Sequence, residues 1–130
     1  MPDMPSPASA SPEPILNAEA LTRLRELDPT GANRLLPRLV EAFFKSLDRM
    51  LPELAVACAC IPPDLGTVRH VTHTLKSSAA SLGAEQLSRH CAQIESMARN
   101  AQLQELESRV GAMLAEVAKA RRALEELIRQ

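Results

Sequence analysis

Apolar residues recur at alternating spacings of three and four along most of this chain, and this period most restricts its fold. The clearest run lies near the C-terminus, and its members are Leu103, Leu106, Val110, Met113, Val117, Ala120, Leu124 and Leu127. This spacing puts side chains on one face of an α-helix, whereas a strand needs a period of two. Unbroken alternation is typical of the packing seam of a helical bundle. We therefore predict an all-α fold.

The composition supports a helical fold and excludes several kinds of binding protein. Only 2% of the 130 residues are aromatic, so RNA and single-stranded DNA modules would lack their base-stacking platforms. The 15 basic and 16 acidic residues give a net charge of -1 and no basic surface for nucleic acid or a membrane. One domain is expected from the length, and its partner is expected to be a protein.

Turn and capping residues divide the chain into a leader and five helices. Residues 1–14 alternate Pro with Ser and Ala and predict a disordered leader, followed by a bundle domain over residues 15–130. Asn17 is expected to cap a short first helix that ends before Pro29. A long second helix should follow, with an apolar stripe formed by Leu36, Leu39, Phe43, Leu47, Met50 and Leu54.

Further breaks set the other helix boundaries. Pro52 lies within the second helix and should kink it or mark its fraying end. Asp64 is expected to cap a third helix, which Gly83 terminates as a helix cap. A fourth helix is expected over about residues 84–99, and the last should begin near Gln102. Short loops between long helices predict an antiparallel up-down-up-down four-helix bundle, with the short N-terminal helix over one end.

The three cysteines and the N-terminal stretch indicate in which cellular compartment the protein is found. An odd number of cysteines in a chain of this size favours reduced, buried thiols without redox activity, and the three are Cys58, Cys60 and Cys91. The N-terminal stretch has no basic residue and no apolar core, so it does not match a signal peptide, and no run has transmembrane length. A cytoplasmic location is expected.

The period of the third helix leaves His73 outside the core. Its inward stripe is Leu65, Val68, Thr72, Leu75, Ala79 and Leu82. Four residues share a neighbouring face with His73 at helical spacings, and they are Arg69, Lys76, Ser77 and Ala80. Small side chains on this face do not hold a partner's backbone away. We expect an exposed imidazole on a surface that a large partner can approach.

An exposed imidazole beside a cation suits phosphoryl transfer. An imidazole with an unperturbed pKa of about 6.5 has a nucleophilic ring nitrogen free at neutral pH. The charge of Lys76 would disfavour an imidazolium and would pair with the oxygens of a transferred phosphoryl group. Such transfer needs alignment and charge neutralisation more than covalent machinery, so a partner could supply the metal ion and a carboxylate. The chain need not be an enzyme.

The run HVTHTLKSSAASLGAEQLSRHCAQIE resembles the signature of histidine-containing phosphotransfer (HPt) domains. The matching positions are His73, Leu75, Lys76, Ser77, Ser78, Leu82, Gly83, Ala84, Leu87, Cys91, Ile94 and Glu95. An upstream stretch with Phe43 and Phe44 resembles the family's approach helix, so the resemblance covers roughly residues 15–128. Ser77 stands where the family most often has glycine.

The resemblance implies a carrier that takes a phosphoryl group from a receiver-domain aspartate or a kinase and passes it to another receiver aspartate. His73 would be the phosphorylated residue and Lys76 its electrostatic helper. Partner contacts are expected from Arg69, His70, Ser77, Ala80, Phe43 and Phe44. No cofactor is expected on this chain, because the Mg²⁺ ion would lie on the receiver. A monomer is expected, without nucleic acid or membrane insertion.

Other interpretations of the same residues stay open. The chain could be a non-phosphorylated module that sequesters a receiver or kinase, although the expected signature of such a module is loss of the histidine at position 73. His70 and His73 could share a metal ion, but no carboxylate or cysteine on that helix completes a site. Glu95 is interpreted as a structural charge, and His90 as a residue at the surface or rim of the bundle.

Overall fold

The structure, a computed structural model, describes residues 14–129, so nearly all of the leader predicted over residues 1–14 lies outside the described residues. Five α-helices and no strand occur in the described part. They are α1 (Ala18–Glu26), α2 (Leu35–Ala59), α3 (Leu65–Ser81), α4 (Glu85–Arg99) and α5 (Leu106–Arg129). The all-α prediction is confirmed.

The four long helices close into a bundle. Helix α2 packs against α3, α3 against α4, α4 against α5, and α5 returns to α2. Helices that follow each other through short loops and pack side by side run antiparallel, which gives the predicted up-down-up-down order. The short helix α1 contacts α2, and the backbone N–H of Asn17 donates to the Gly83 carbonyl over 2.7 Å. Helix α1 therefore covers the end of the bundle where α3 terminates.

The interior is built from aliphatic side chains supplied by all four long helices. The largest fully buried residues include Leu47, Leu54, Leu75, Leu87, Ile94, Met113 and Leu124. In α2 the buried stripe runs through Val40 and Phe43, whereas Leu39 is 36% exposed. The prediction that Leu39 faces inward is wrong because Val40, not Leu39, keeps the alternation of three and four through Phe43 and Leu47.

Side-chain caps start two of the helices as predicted. The Asn17 side chain accepts a hydrogen bond from the Ala20 N–H over 3.0 Å at the start of α1. At the start of α3, the Asp64 carboxylate accepts from the N–H of Thr67 over 3.1 Å and from its hydroxyl over 2.7 Å. These bonds satisfy backbone donors that have no partner in the first turn, and they fix where α3 begins relative to His73.

One of the two effects expected of Pro52, a helix end, and one predicted helix boundary differ from the structure. Helix α2 continues through Pro52 to Ala59, so the proline does not end it. Helix α5 begins at Leu106 rather than near Gln102. Ala101 and Glu105 adopt left-handed backbone angles, with φ of 54° and 68°, and a right-handed helix cannot run through them. The intervening Leu103 is 46% exposed and does not belong to the packing seam.

The cysteines occupy three different environments. Cys91 is buried in the core, and its burial raises the pKa of the thiol to about 12. Cys58 is half-buried, whereas Cys60 is exposed, so the prediction that all three thiols are buried is wrong for Cys60. The difference arises because Cys60 is the residue that terminates α2 and has an extended backbone. Within residues 14–129, each helix is either too short or too polar to span a lipid bilayer.

Gly83 permits the turn that joins α3 to α4, and its φ of +81° lies in the left-handed region. A Cβ added there would lie 3.0 Å from the backbone N and O of Asn17. We expect Gly83→Ala to lower the free energy of unfolding by about 1–2 kcal/mol in urea denaturation. Gly111→Ala is the control, because a Cβ meets nothing within 4 Å there, inside α5, and should raise stability by about 0.5–1 kcal/mol. Equal effects at both positions would contradict this role of Gly83.

Candidate functional site

The imidazole of His73 stands on the outside of the bundle. Helix α3 buries the Val68, Thr72, Leu75 and Ala79 side chains, and His73 lies off that stripe. Its side chain is 63% exposed. Among the described residues, its ring forms one hydrogen bond, in which Nδ1 lies 2.8 Å from Oε2 of Glu95 on the neighbouring helix α4. The rest of the ring is therefore accessible to another molecule.

Glu95 is the centre of the polar contacts around this ring. It is only 6% exposed. Its Oε1 accepts a hydrogen bond from Lys76 Nζ over 2.6 Å, and its Oε2 accepts from His73 Nδ1 over 2.8 Å. Arg99 Nη2, one turn further along α4, is 3.4 Å from Oε2. One carboxylate thus gathers three nitrogen-bearing side chains from two helices.

The contacts of Glu95 keep its carboxyl ionised. The hydrogen bond from Lys76 is the largest influence and lowers the pKa of Glu95, burial opposes it, and the hydrogen bond to His73 lowers the pKa further. The pKa therefore lies below its ordinary value, and the group is an anion at neutral pH. An anion in this position offsets positive charge on the imidazole beside it.

The ionised carboxylate also fixes the tautomer of His73. A carboxylate can only accept hydrogen bonds, so Nδ1 must carry the proton that lies between the ring and Glu95. In a neutral ring, the other nitrogen Nε2 then has a free lone pair. Nε2 lies on the side of the ring away from Glu95. The arrangement presents a nucleophilic nitrogen to whatever approaches from outside.

Packing between α3 and α4 sets this geometry. Leu87, Cys91 and Ile94 bury one face of α4, and Glu95 follows Cys91 by one turn. The Ser88 hydroxyl donates to the backbone carbonyl of Lys76 over 2.9 Å and ties the two helices together beside the site. The carboxylate is therefore placed by buried side chains and by an interhelix hydrogen bond.

A cleft of about 460 Å³ opens on the side of His73 toward the start of α3. It is lined by Gly66, Arg69, His70, His73, Glu95 and Arg99. Two of the lining residues carry guanidinium groups: Arg69 on α3 and Arg99 on α4. Anionic groups are the ligands that such a cleft attracts.

Small residues follow His73 on the other side, toward the end of α3. Ser77 and Ala80 are both exposed, as a surface open to a partner requires. A second hollow of about 250 Å³ lies near this end, between α2 and α3. It is lined by Leu39, Ala42, Phe43, Ser46, Ser78, Ser81 and Leu82.

The two phenylalanines predicted to contact a partner lie in different environments. Phe43 is 3% exposed and belongs to the core, so the prediction that it contacts a partner is wrong. The helix period turns it inward with Val40 and Leu47. Phe44 is half-buried, and the Arg121 guanidinium lies 4.8 Å from the centre of its ring. A partner would have to share that ring with Arg121.

The structure brings together some of the residues that were predicted to form the site around His73. Arg69 and His70 line the cleft with His73, while Lys76 is bound to Glu95 rather than standing free. The roles of Glu95 and Arg99 were missed from the sequence. One signal was available for Glu95: it follows Cys91 by four residues, which puts an acidic side chain at the edge of an inward stripe.

The two histidines of α3 were weighed as ligands of a shared metal ion. Glu95 is brought beside His73 from another helix, but the described residues contain no group of three side chains able to hold a metal ion. His90 is half-buried on α4 and does not line the cleft.

Comparisons with known proteins show which family and fold this chain resembles. A sequence model described as the Hpt domain matches residues 38–129. The solved structure of histidine-containing phosphotransfer protein B from Pseudomonas aeruginosa is 24% identical with a TM-score of 0.69, and the match covers 88% of this chain and 95% of that one. A rice protein described as a candidate histidine-containing phosphotransfer protein is 19% identical with a TM-score of 0.75, over 88% of this chain and 82% of that one. These structural likenesses show the fold. No sequence matches among curated proteins.

Proposed function

The chain belongs to the Hpt domain family, whose members carry phosphoryl groups on histidine, and we propose that His73 is the residue that carries the group in this chain. The donor would be a receiver-domain aspartyl phosphate or a kinase, and the acceptor another receiver aspartate. The observation that carries the proposal is the bond between His73 Nδ1 and Glu95 in a ring that is 63% exposed. It leaves Nε2 as the free nucleophile.

The transfer step follows from the tautomer. The lone pair of Nε2 attacks the phosphorus of the aspartyl phosphate, and a P–N bond forms as the bond from phosphorus to the carboxylate oxygen breaks. The carboxylate leaves with the electron pair of that bond. No proton needs to move, because Nε2 carries none at the start and Nδ1 keeps its own. Transfer to the next receiver is the same step in reverse.

Glu95 compensates the charge that this step creates. Forming the P–N bond on a ring that keeps its Nδ1 proton gives the imidazole a positive charge. The Glu95 carboxylate lies 2.8 Å from Nδ1 and is already in place before the reaction. A fixed anion at the position where positive charge develops stabilises the transition state without reorganisation. Lys76, at 2.6 Å from the other oxygen, holds the carboxylate in that position.

The receiver would supply what this chain does not. Its Mg²⁺ ion would neutralise the phosphoryl oxygens during transfer, and its acidic pocket would close over the exposed ring. The exposed Ser77 and Ala80 leave room for that approach. On this proposal the chain is a carrier without turnover of its own, and its cytoplasmic location and monomeric state stay predictions.

The chemistry of the label tests the proposal. We expect the chain to take radiolabelled phosphoryl from a phosphorylated receiver domain and to hold it as a phosphoramidate. Such a bond is lost in acid and survives in alkali. Brief treatment of the labelled protein at acidic and alkaline pH, followed by electrophoresis, distinguishes this bond from others. An acid-stable label would point to a serine or threonine ester, and failure of several receivers to transfer any label would count against a carrier function.

A further inference from the structure

The proposed function raises the question of which cation on this chain binds the phosphoryl group once His73 carries it. A phosphoryl group has a charge of about -1.5 to -2 and strong acceptor oxygens, and it forms charge-assisted hydrogen bonds wherever a cation can reach it. The sequence alone favours Lys76. In the structure, however, Nζ of Lys76 lies 2.6 Å from Glu95 Oε1, and the side chain is 33% exposed. Lys76 is already engaged.

Of the three side chains that contact Glu95, Arg99 forms the weakest contact. Its Nη2 is 3.4 Å from Oε2, the longest of the three contacts, and its side chain is 53% exposed. If Arg99 moved away, Glu95 would still accept bonds from Lys76 and from His73 Nδ1. Arg99 can therefore leave the carboxylate without stranding a buried charge.

Arg69 approaches the same cleft from the other helix. It stands one turn before His73 on α3 and lines the cleft with Arg99. Within residues 14–129, its guanidinium forms no ion pair with a carboxylate. Two exposed guanidinium groups thus face one cleft beside the nucleophilic ring, and among the described residues their ion pairs with carboxylates are limited to the 3.4 Å contact of Arg99 with Glu95.

We propose that Arg99, assisted by Arg69, binds the phosphoryl oxygens of phosphorylated His73, while Lys76 acts only through Glu95. The inference rests on the proposed function. A guanidinium suits this role because its planar N–H groups match two phosphoryl oxygens at once. On phosphorylation, Arg99 exchanges its long contact with Glu95 for the phosphoryl group. The cleft beside His73 is thereby a phosphoryl-binding site built from two helices.

This site has a thermodynamic consequence. A cation that binds the phosphohistidine but not the free ring shifts the transfer equilibrium toward this chain and away from the receiver. Because the arginines are partly exposed, the expected shift is about threefold to tenfold for Arg99. A cation near the phosphoryl group also lowers the pKa of that group. Neither effect is expected from a residue that only supports the helix.

The test is a comparison of Arg99→Gln with Arg122→Gln, which removes an equal charge from an exposed position of α5. Full-length proteins are equilibrated with a phosphorylated receiver, and the share of phosphoryl on each partner is measured. Phosphorus NMR gives the pKa of the phosphoryl group in each phosphorylated chain. We expect the Arg99 variant to retain less phosphoryl and to raise that pKa, and the Arg122 variant to match the original chain. Arg99→Lys, which keeps the charge, should recover most of the lost share.

Each outcome bears on a defined claim. Equal equilibria and equal phosphoryl pKa values for the two glutamine variants would overturn the role of Arg99. A larger shift with Lys76→Ala than with Arg99→Gln would return the role to Lys76 and also overturn it. If Arg99→Gln fails to fold, Arg69→Gln takes its place, because Arg69 lines the same cleft, and a phosphoryl pKa and equilibrium equal to those of the Arg122 variant would then overturn the proposal. A chain that accepts no phosphoryl on His73 in any form would instead refute the proposed function.

Discussion

Phosphoryl transfer to the His73→Gln variant is expected to be lost completely. The glutamine amide nitrogen has no free lone pair, so it cannot replace Nε2 as the nucleophile. Glutamine is a good helix former, and the position is 63% exposed, so stability should change by less than about 0.5 kcal/mol. The measurement is incorporation of label from a phosphorylated receiver, with urea denaturation to confirm that the bundle is intact.

The control for this variant is His90→Gln on α4. His90 is half-buried and does not line the cleft, so its replacement should leave the labelling rate close to that of the original chain. Receiver affinity of the His73 variant should also be nearly unchanged, because the ring is one of many contacts in a docking surface. Label in the His73 variant, or loss of label in the His90 variant alone, would refute the assignment.

Removing the carboxylate in Glu95→Ala is expected to slow phosphoryl transfer about 10- to 100-fold. The change releases Nδ1 of His73, so the tautomer with the proton on Nε2 becomes accessible and the ring orientation is no longer fixed. It also removes the anion that offsets charge on the ring. Both losses act on the chemical step. We therefore expect the maximal rate to fall, with little change in the receiver concentration that gives half of it.

Glu116→Ala separates this effect from a general loss of stability. Glu116 is also buried, at 8% exposed, and pairs with Lys119 over 3.0 Å on α5. Its removal should cost stability without affecting transfer. Glu95→Gln should give an intermediate rate, because the amide oxygen can still accept from Nδ1 but carries no charge. If the two alanine variants slowed transfer equally, Glu95 would have no specific part in the reaction.

The helices and the outward position of His73 could be predicted because both depend on the period within one helix. Once Val68, Thr72 and Leu75 define the inward face of α3, the direction of His73 follows from geometry alone. The same reasoning placed Leu39 inward, and the structure turns Val40 inward in its place. The side chains of adjacent helical residues point about 100° apart around the helix axis. Near the start of a helix, an apolar stripe has no earlier turn to fix its direction, so either Leu39 or Val40 can be its first member.

The contacts of Glu95 could not be predicted in this way. They depend on how far α3 and α4 slide past each other, and no spacing within one helix carries that information. The sequence therefore allowed Lys76 to be free and Glu95 to be structural, whereas the packed helices put them 2.6 Å apart. The late start of α5 could not be predicted for a different reason: the left-handed backbone angles that delay it occur at Ala101 and Glu105, and neither residue is a glycine that would signal such a conformation.

The central claim is that the outward nitrogen of His73 accepts the phosphoryl group while Glu95 holds the proton on the other nitrogen. NMR of the phosphorylated chain, prepared with isotopically labelled histidine, tests it most directly through the coupling between phosphorus and ring nitrogen. The account predicts phosphorus bonded to Nε2 of His73, with Nδ1 still protonated. Phosphorus bonded to Nδ1, or to another side chain such as Ser77, would contradict it.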